Sequence, residues 1–234
     1  MARRFVLLHS PLLGPMAWRA VAQELGRRGH PASAPAWPPL ASVAERFYAT
    51  LAQAMAAQLA QPEGELLLVA HSGAGTLVPA LASRLPERVA GVILADAILP
   101  HPGRSWFDTA PAEMRERLRT GAQMGELPPW SDWWPPGALE QLVPEEVERR
   151  ALIEELEPLP IAYFEEVAPP GELPCPVAYL QLSSAYRDEG EVAARSGWPL
   201  VRLPLHHLAM LTHPEAVAAA LESLAERLAE PAHG

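Results

Sequence analysis

One serine carries the densest chemical signal in the 234 residues. Leu67-Leu68-Val69-Ala70-His71-Ser72-Gly73-Ala74-Gly75 is an apolar run that turns onto a helix with small residues on both sides of Ser72. A hydroxyl presented at a tight strand-to-helix turn must take strained backbone angles, and its neighbours two positions away must be small so that strand and helix can approach. Ala70 and Ala74 meet that demand. The following helix points free N–H groups, led by that of Gly73, at negative charge developing beside the hydroxyl. These residue types in this order predict a nucleophilic Ser72 with Gly73 as an oxyanion donor. The other reactive groups are few. All 18 basic residues are arginines and the chain has no lysine and no asparagine, which removes Schiff-base chemistry and the phosphate-loop lysine. The single cysteine, Cys175, sits between two prolines and reads as a buried, inert thiol. No Cys/His cluster has zinc spacing, so neither a metal nor a cofactor is expected.

The elements that must position Ser72 are short apolar strands alternating with amphipathic helices, a pattern that predicts a parallel sheet covered on both faces. Strands are expected near 5–9, 32–36, 66–69, 89–95, 177–182 and 200–203. Helices are expected at 18–28, at 42–61 with Ser42 capping and Glu45 three residues later, from Ser72 to Leu85, at 189–195 and at 213–228. Between about 100 and 170 prolines crowd in and four of the seven tryptophans appear, which reads as a helical insertion on a core formed by 1–99 and 171–234. The proline-rich stretch 169–176 reads as a linker and 231–234 as a frayed tail.

Composition narrows the partners. Hydrophobic residues at 49% supply a substantial core, and a formal charge of −10 lacks the basic footprint that a phosphate backbone needs. Apolar stretches fall far short of the roughly 20 residues of a membrane helix. Phe5 to Leu8 is too short for a signal-peptide core, so a cytoplasmic protein is expected. The expected partner is a small-molecule substrate, with neither nucleic acid nor membrane; a homodimer is left open.

Three segments in order resemble the α/β-hydrolase superfamily over essentially the full chain. Ala70-His71-Ser72-Gly73-Ala74 resembles its nucleophile elbow, with alanine at both usual glycine positions. His9-Ser10-Pro11-Leu12-Leu13-Gly14-Pro15-Met16-Ala17-Trp18 resembles the oxyanion loop of the branch containing plant methyl-ester esterases and hydroxynitrile lyases. Leu205-His206-His207-Leu208-Ala209-Met210-Leu211-Thr212-His213-Pro214 resembles the C-terminal histidine segment of that branch. The resemblance implies a fold of about six mostly parallel strands with a helical cap at 100–170. It also implies His207 as general base, seven residues before the proline that opens the last helix. His206 is then a satisfied loop histidine, His9 a brace of the oxyanion loop, and His213 an exposed helix start. For the acid, Ser183, Ser184 and Ala185 stand where an aspartate is commonest. Leu94-Ala95-Asp96-Ala97-Ile98-Leu99-Pro100 resembles the segment where haloalkane dehalogenase relatives carry theirs, so Asp96 is preferred and Asp188 is the alternative. The chain order Ser…Asp…His is that of this fold.

One departure bears on chemistry. Pro11 stands where the resembled family donates a backbone N–H to the oxyanion, and proline has none. The Leu12 N–H or the Ser10 hydroxyl must substitute. In the insertion, Trp130, Trp133 and Trp134 among Pro128, Pro129, Pro135 and Pro136, together with Trp106, form an aromatic set suited either to an apolar substrate or to packing the insertion itself. The expected function is hydrolysis of an ester or thioester of a small to medium apolar or aromatic substrate by Ser72, His207 and Asp96 through an acyl-enzyme, with Gly73, Ser10 and Leu12 at the oxyanion. Two alternatives are a lyase or cyclase reaction in the same pocket without an acyl-enzyme, and a non-catalytic ligand-binding member of the fold.

Overall fold

The structure, a computed structural model, describes residues 3–229; the tail at 231–234 lies outside the described residues. The strands are β1 (Arg4–Leu8), β2 (Ala32–Ser33), β3 (Leu66–Ser72), β4 (Val89–Ala97), β5 (Glu126–Leu127), β6 (Leu159–Pro160), β7 (Val177–Gln181) and β8 (Leu200–Arg202). Six of them form one parallel sheet in the order β2-β1-β3-β4-β7-β8, while β5 and β6 make a separate antiparallel pair. The helices are α1 (Met16–Arg27), α2 (Phe47–Gln58), α3 (Val78–Ala82), α4 (Trp106–Thr109), α5 (Ala112–Gly121), α6 (Ala138–Leu142), α7 (Glu146–Ile153), α8 (Ile161–Glu165), α9 (Arg187–Arg195), α10 (Ala209–Thr212) and α11 (Pro214–Ala229). No helix of the described residues is long and apolar enough to cross a membrane.

Alternation along the strands divides the core into two apolar layers, because successive side chains point to opposite faces. Val6, Leu8, Leu66, Leu68, Val92 and Leu94 feed the layer shared with α2 and α3. Phe5, Leu7, Leu67, Val69, Ile93 and Ala95 feed the layer shared with α1 and α11. Strands buried on both faces read as continuous apolar runs, which is why β3 and β4 are legible in sequence. On α1, Ala17, Val21 and Leu25 recur every fourth residue and are fully buried beneath it.

Three element boundaries differ from expectation for physical reasons. The second strand stops at Ser33, before Pro35, and Trp37 turns inward instead. Ser42 does not cap α2. Residues 40–42 form an isolated 3-10 turn, Arg46 takes a left-handed conformation with φ 54°, and the helix starts at Phe47. Its free N–H groups are satisfied by the Glu166 carboxylate, which accepts from Phe47 N at 2.6 Å and Tyr48 N at 3.1 Å. The elbow helix is also shorter and tighter than expected, a 3-10 segment (Gly73–Leu77) followed by α3. Residues 100–170 contribute no strand to the six-stranded sheet and carry only short helices and the β5–β6 pair.

Candidate active site

Ser72 ends β3 with φ 54° and ψ −125°, a conformation that a non-glycine residue holds only where its surroundings impose it. The small residues explain how. Ala70 and Ala74 are fully buried, and a Cβ at Gly75 would collide with the Ile98 carbonyl oxygen. The chain leaving β4 thus passes directly against the elbow helix, and glycine is required at 75. The Ser72 carbonyl accepts from Ile98 N at 3.1 Å, locking the two strand ends together.

The neighbouring strand end has a matching irregularity. His71 pairs with Ala95 and Ser72 with Ala97, so Asp96 is the extra residue of a β-bulge, and its φ is 43°. A bulge re-aims one side chain relative to its strand. Tyr179 on β7 braces it: its hydroxyl donates to Ala97 O at 3.0 Å and accepts from Ala97 N at 3.1 Å. Burial, with the Asp96 charge adding to it, holds that phenol well above the usual tyrosine range, so it stays a neutral brace.

The redirected Asp96 carboxylate has no solvent exposure and four donors. Oδ1 accepts from Leu182 N at 2.6 Å and Ser183 N at 3.0 Å. Oδ2 accepts from Ser183 Oγ at 2.5 Å and from His207 Nδ1 at 3.1 Å. A buried charge without such partners would cost several kcal/mol, so these bonds are what allow it to stay there. Ser183, which fills the place where an aspartate was looked for, here serves the aspartate on the adjacent strand. Asp188 lies exposed in the first turn of α9, away from this array.

His207 is held from three sides. Besides Asp96, the His71 Nε2–H donates to the His207 carbonyl at 3.0 Å, and the two rings lie 4.4 Å apart. His71 is fully buried with Trp18 against its edge; burial, then the neighbouring His207, pushes its pKa well below the usual histidine value. It is therefore a neutral positioning group. The third contact is Tyr186, in the turn before α9. Its ring stacks on His207 at 4.9 Å and 9°, and its hydroxyl lies 3.2 Å from Ser72 Oγ. Among the described residues, the side-chain partner of Ser72 is this phenol rather than His207. Sequence reasoning missed Tyr186: a lone tyrosine in a loop carries no local signal.

The loop expected to hold the oxyanion, at 9–14, faces the Ser72 turn closely. A Cβ on Gly73 would sit 3.2 Å from Ser10 Oγ and 3.6 Å from Pro11 Cδ. Ser10 Oγ accepts from Leu12 N at 3.3 Å, which commits the Leu12 donor inward and leaves the serine hydroxyl hydrogen free. His9 braces this loop. Its Nδ1–H donates to Ser10 O at 2.8 Å, its Nε2 accepts from Trp37 N at 3.3 Å, and Trp37 Nε1 donates to His9 O at 2.7 Å. Burial lowers its pKa to about 4, keeping it neutral. His206 bonds Thr212 Oγ1 at 2.8 Å, and His213 is exposed just before α11. The Cys175 thiol is pushed up by burial, away from thiolate reactivity.

A cavity of about 250 Å³ adjoins the loop at 9–15; its walls include Pro11, Leu12, Trp37 and Leu159 together with Glu155 and Glu157, and do not include Ser72 or His207. The four expected tryptophans divide. Trp130 is buried in the apolar layer shared with α1 and α11 and Trp134 is half-exposed against it, while Trp106 and Trp133 both meet Phe164, at 5.2 and 5.9 Å.

No protein-family model and no curated protein matches this sequence. The fold, however, is shared with many solved structures. An extracellular α/β-hydrolase from a Paenibacillus species, described as sharing structural and functional homology with tobacco salicylic acid binding protein 2, superposes with TM-score 0.74 at 20% identity over 95% of this chain and 98% of that one. A pyrethroid hydrolase from Sphingobium faniae JZ-2 gives 0.72 at 22% identity over 97% and 98%. Polyneuridine aldehyde esterase gives 0.70 at 15% identity over 96% and 100%.

Proposed function

From the α/β-hydrolase fold that this chain shares with those proteins, we propose that it is a serine hydrolase acting on an ester or thioester of a small to medium apolar or aromatic substrate. The observation that supports the reading is a strained Ser72 elbow at the end of β3 beside the bulged Asp96 of β4, whose carboxylate accepts from His207. In this reading Ser72 Oγ attacks the acyl carbon, and His207 takes the proton and returns it to the leaving alcohol or thiol. Asp96 fixes the His207 tautomer and stabilises the imidazolium. The Gly73 N–H and the Ser10 hydroxyl hold the oxyanion, Leu12 being turned onto Ser10. Insertion 100–170 acts as a cap over the core 1–99 and 171–234, and the cavity beside the oxyanion loop, walled by apolar side chains and by Glu155 and Glu157, receives part of the substrate.

Fluorophosphonate labelling followed by mass mapping tests this directly. An adduct on Ser72, with p-nitrophenyl ester turnover that falls on the order of 10⁶-fold in Ser72→Ala, is expected. Pro11, which removes one backbone donor, favours a second reading: elimination or carbon–carbon cleavage with His207 as acid and base and no acyl-enzyme. Ser72→Ala that keeps turning over its substrate would select it.

A further inference from the structure

We propose that Tyr186 is a catalytic residue of this site, its phenol O–H donating a hydrogen bond to the reacting oxygens and completing the donor set that Pro11 leaves short. The inference rests on the serine hydrolase reading and deepens it. Its basis is a double contact: one side chain meets both the nucleophile, at 3.2 Å from Ser72 Oγ, and the base, by a near-parallel stack on His207.

Proton accounting sets the direction of that bond. Ser72 has one hydrogen, and attack requires that it go to His207. A phenol that accepts from Ser72 would divert this hydrogen, whereas one that donates leaves it available to the imidazole. Burial holds the Tyr186 phenol well above the ordinary tyrosine range, against the opposing pull of its Ser72 bond, and the Asp96 and Glu189 charges push the same way as burial. The group therefore stays protonated and is a donor rather than a base.

In the acylation step the Ser72 Oγ–carbon bond forms, the Ser72 proton moves to His207, and the carbonyl π pair moves onto the carbonyl oxygen. That oxygen is bonded to the carbon Ser72 has just joined and so lies one bond angle from Ser72 Oγ, beside a hydroxyl that is already 3.2 Å from that Oγ. Collapse restores the carbonyl, breaks the bond to the leaving group and sends the His207 proton to it; Tyr186 keeps its own proton throughout. The same ring lies face-on to His207, where an aromatic face favours the imidazolium formed in that step. A donor that reaches full strength only on the tetrahedral oxygen acts on the transition state rather than on substrate binding.

The test is Tyr186→Phe, which removes one oxygen and keeps the stack, with active fraction normalised by fluorophosphonate titration of Ser72. A kcat lower by about 10²-fold with KM within about threefold is expected, together with an equal loss of affinity for an arylboronic acid that mimics the tetrahedral adduct. Wild type labelled on Ser72 with Tyr186→Phe equal to it in kcat and boronate affinity overturns the Tyr186 assignment alone. Wild type neither labelled nor hydrolytic overturns the serine hydrolase reading, and this assignment with it.

Discussion

At the C-terminal ends of β3 and β4 two residues with positive φ, Ser72 and Asp96, sit on adjacent hydrogen-bonded strands, tied together where the Ser72 carbonyl accepts from Ile98 N. Between 100 and 170 the longest regular element is the ten-residue α5, and the segment is fastened to the core at two helix starts by acidic side chains. Glu155 Oε2 accepts from Met16 N at 2.9 Å at the start of α1, packing so closely on Gly14 that a Cβ there would collide with it. Glu166 does the same for α2. The contrast teaches where each kind of precision resides. Strand ends, held by ladders and bulges, store backbone strain and fix atoms to fractions of an ångström. The insertion is held by these polar ties and by apolar side chains that join both core layers, Phe107, Tyr163 and Phe164 in one and Trp130, Val143 and Leu152 in the other.

Breaking the strand-end side should have the largest effect. Asp96→Asn keeps the bulge but inverts the hydrogen-bond demand at Oδ2, where both Ser183 Oγ and His207 Nδ1 now donate. Turnover of p-nitrophenyl esters should fall on the order of 10⁴-fold. Asp188→Asn, on an exposed helix start, should leave turnover within about twofold of wild type. The reverse pattern, with both variants folded by circular dichroism, would move the acid to 188.

The same strand ends rest on two neutral buried histidines, which ties their stability to acid. His9 and His71 both have folded-state pKa values below the ordinary 6.5, the first at about 4. The unfolded chain therefore takes up protons first. Stability from these two groups is intact above about pH 6.5 and is lost as pH falls from there toward 4, at about 1.4 kcal/mol per pH unit for each group. Urea unfolding midpoints measured between pH 7.5 and 4.5 should drop accordingly. His71→Phe, although less stable at pH 7, should show a slope shallower by one proton; an unchanged slope would discard the assignment.

What could be read from sequence follows the same division. The Ser72 elbow is local, its demands written within five residues, and β3 and β4 announce themselves by burial on both faces. The Asp96–His207 contact spans 111 residues and was legible only through a family resemblance. The bulge that makes Asp96 usable has no sequence signature beyond Tyr179, 82 residues away. The start of α2 was misplaced because its cap comes from Glu166, 119 residues later, while Ser42 offered a plausible local substitute. Tyr186 went unread for the same reason: its importance lies entirely in what the fold brings beside it.

On the insertion side the ties can be cut one at a time. Glu166→Gln keeps the shape but removes the charge facing the α2 N–H groups, and should cost about 1 kcal/mol, seen as a lower thermal midpoint. The rate of Ser72 labelling by fluorophosphonate should stay within about twofold, because the elbow is held by β3 and β4 and not by this tie. A labelling rate that falls in step with stability would mean that the two regions form one cooperative unit and would dissolve the contrast.

The smallest expected effects separate the tryptophans. Trp134 is 39% exposed and touches Trp130 edge-on at 5.6 Å, so Trp134→Ala should cost about 0.5–1.5 kcal/mol of stability and leave KM within about twofold. Trp133 sits differently: its indole N–H donates to Pro128 O at 2.9 Å while its ring meets Phe164, in the apolar layer that also contains Ala74 of the elbow helix and packs against Leu12. Losing about 1 kcal/mol of apolar contact with a bound acyl or alcohol group there would raise KM roughly fivefold in Trp133→Ala. Equal KM values for the two variants would assign both rings to packing of the insertion, and would leave the cavity beside Pro11 and Trp37 as the substrate's apolar wall.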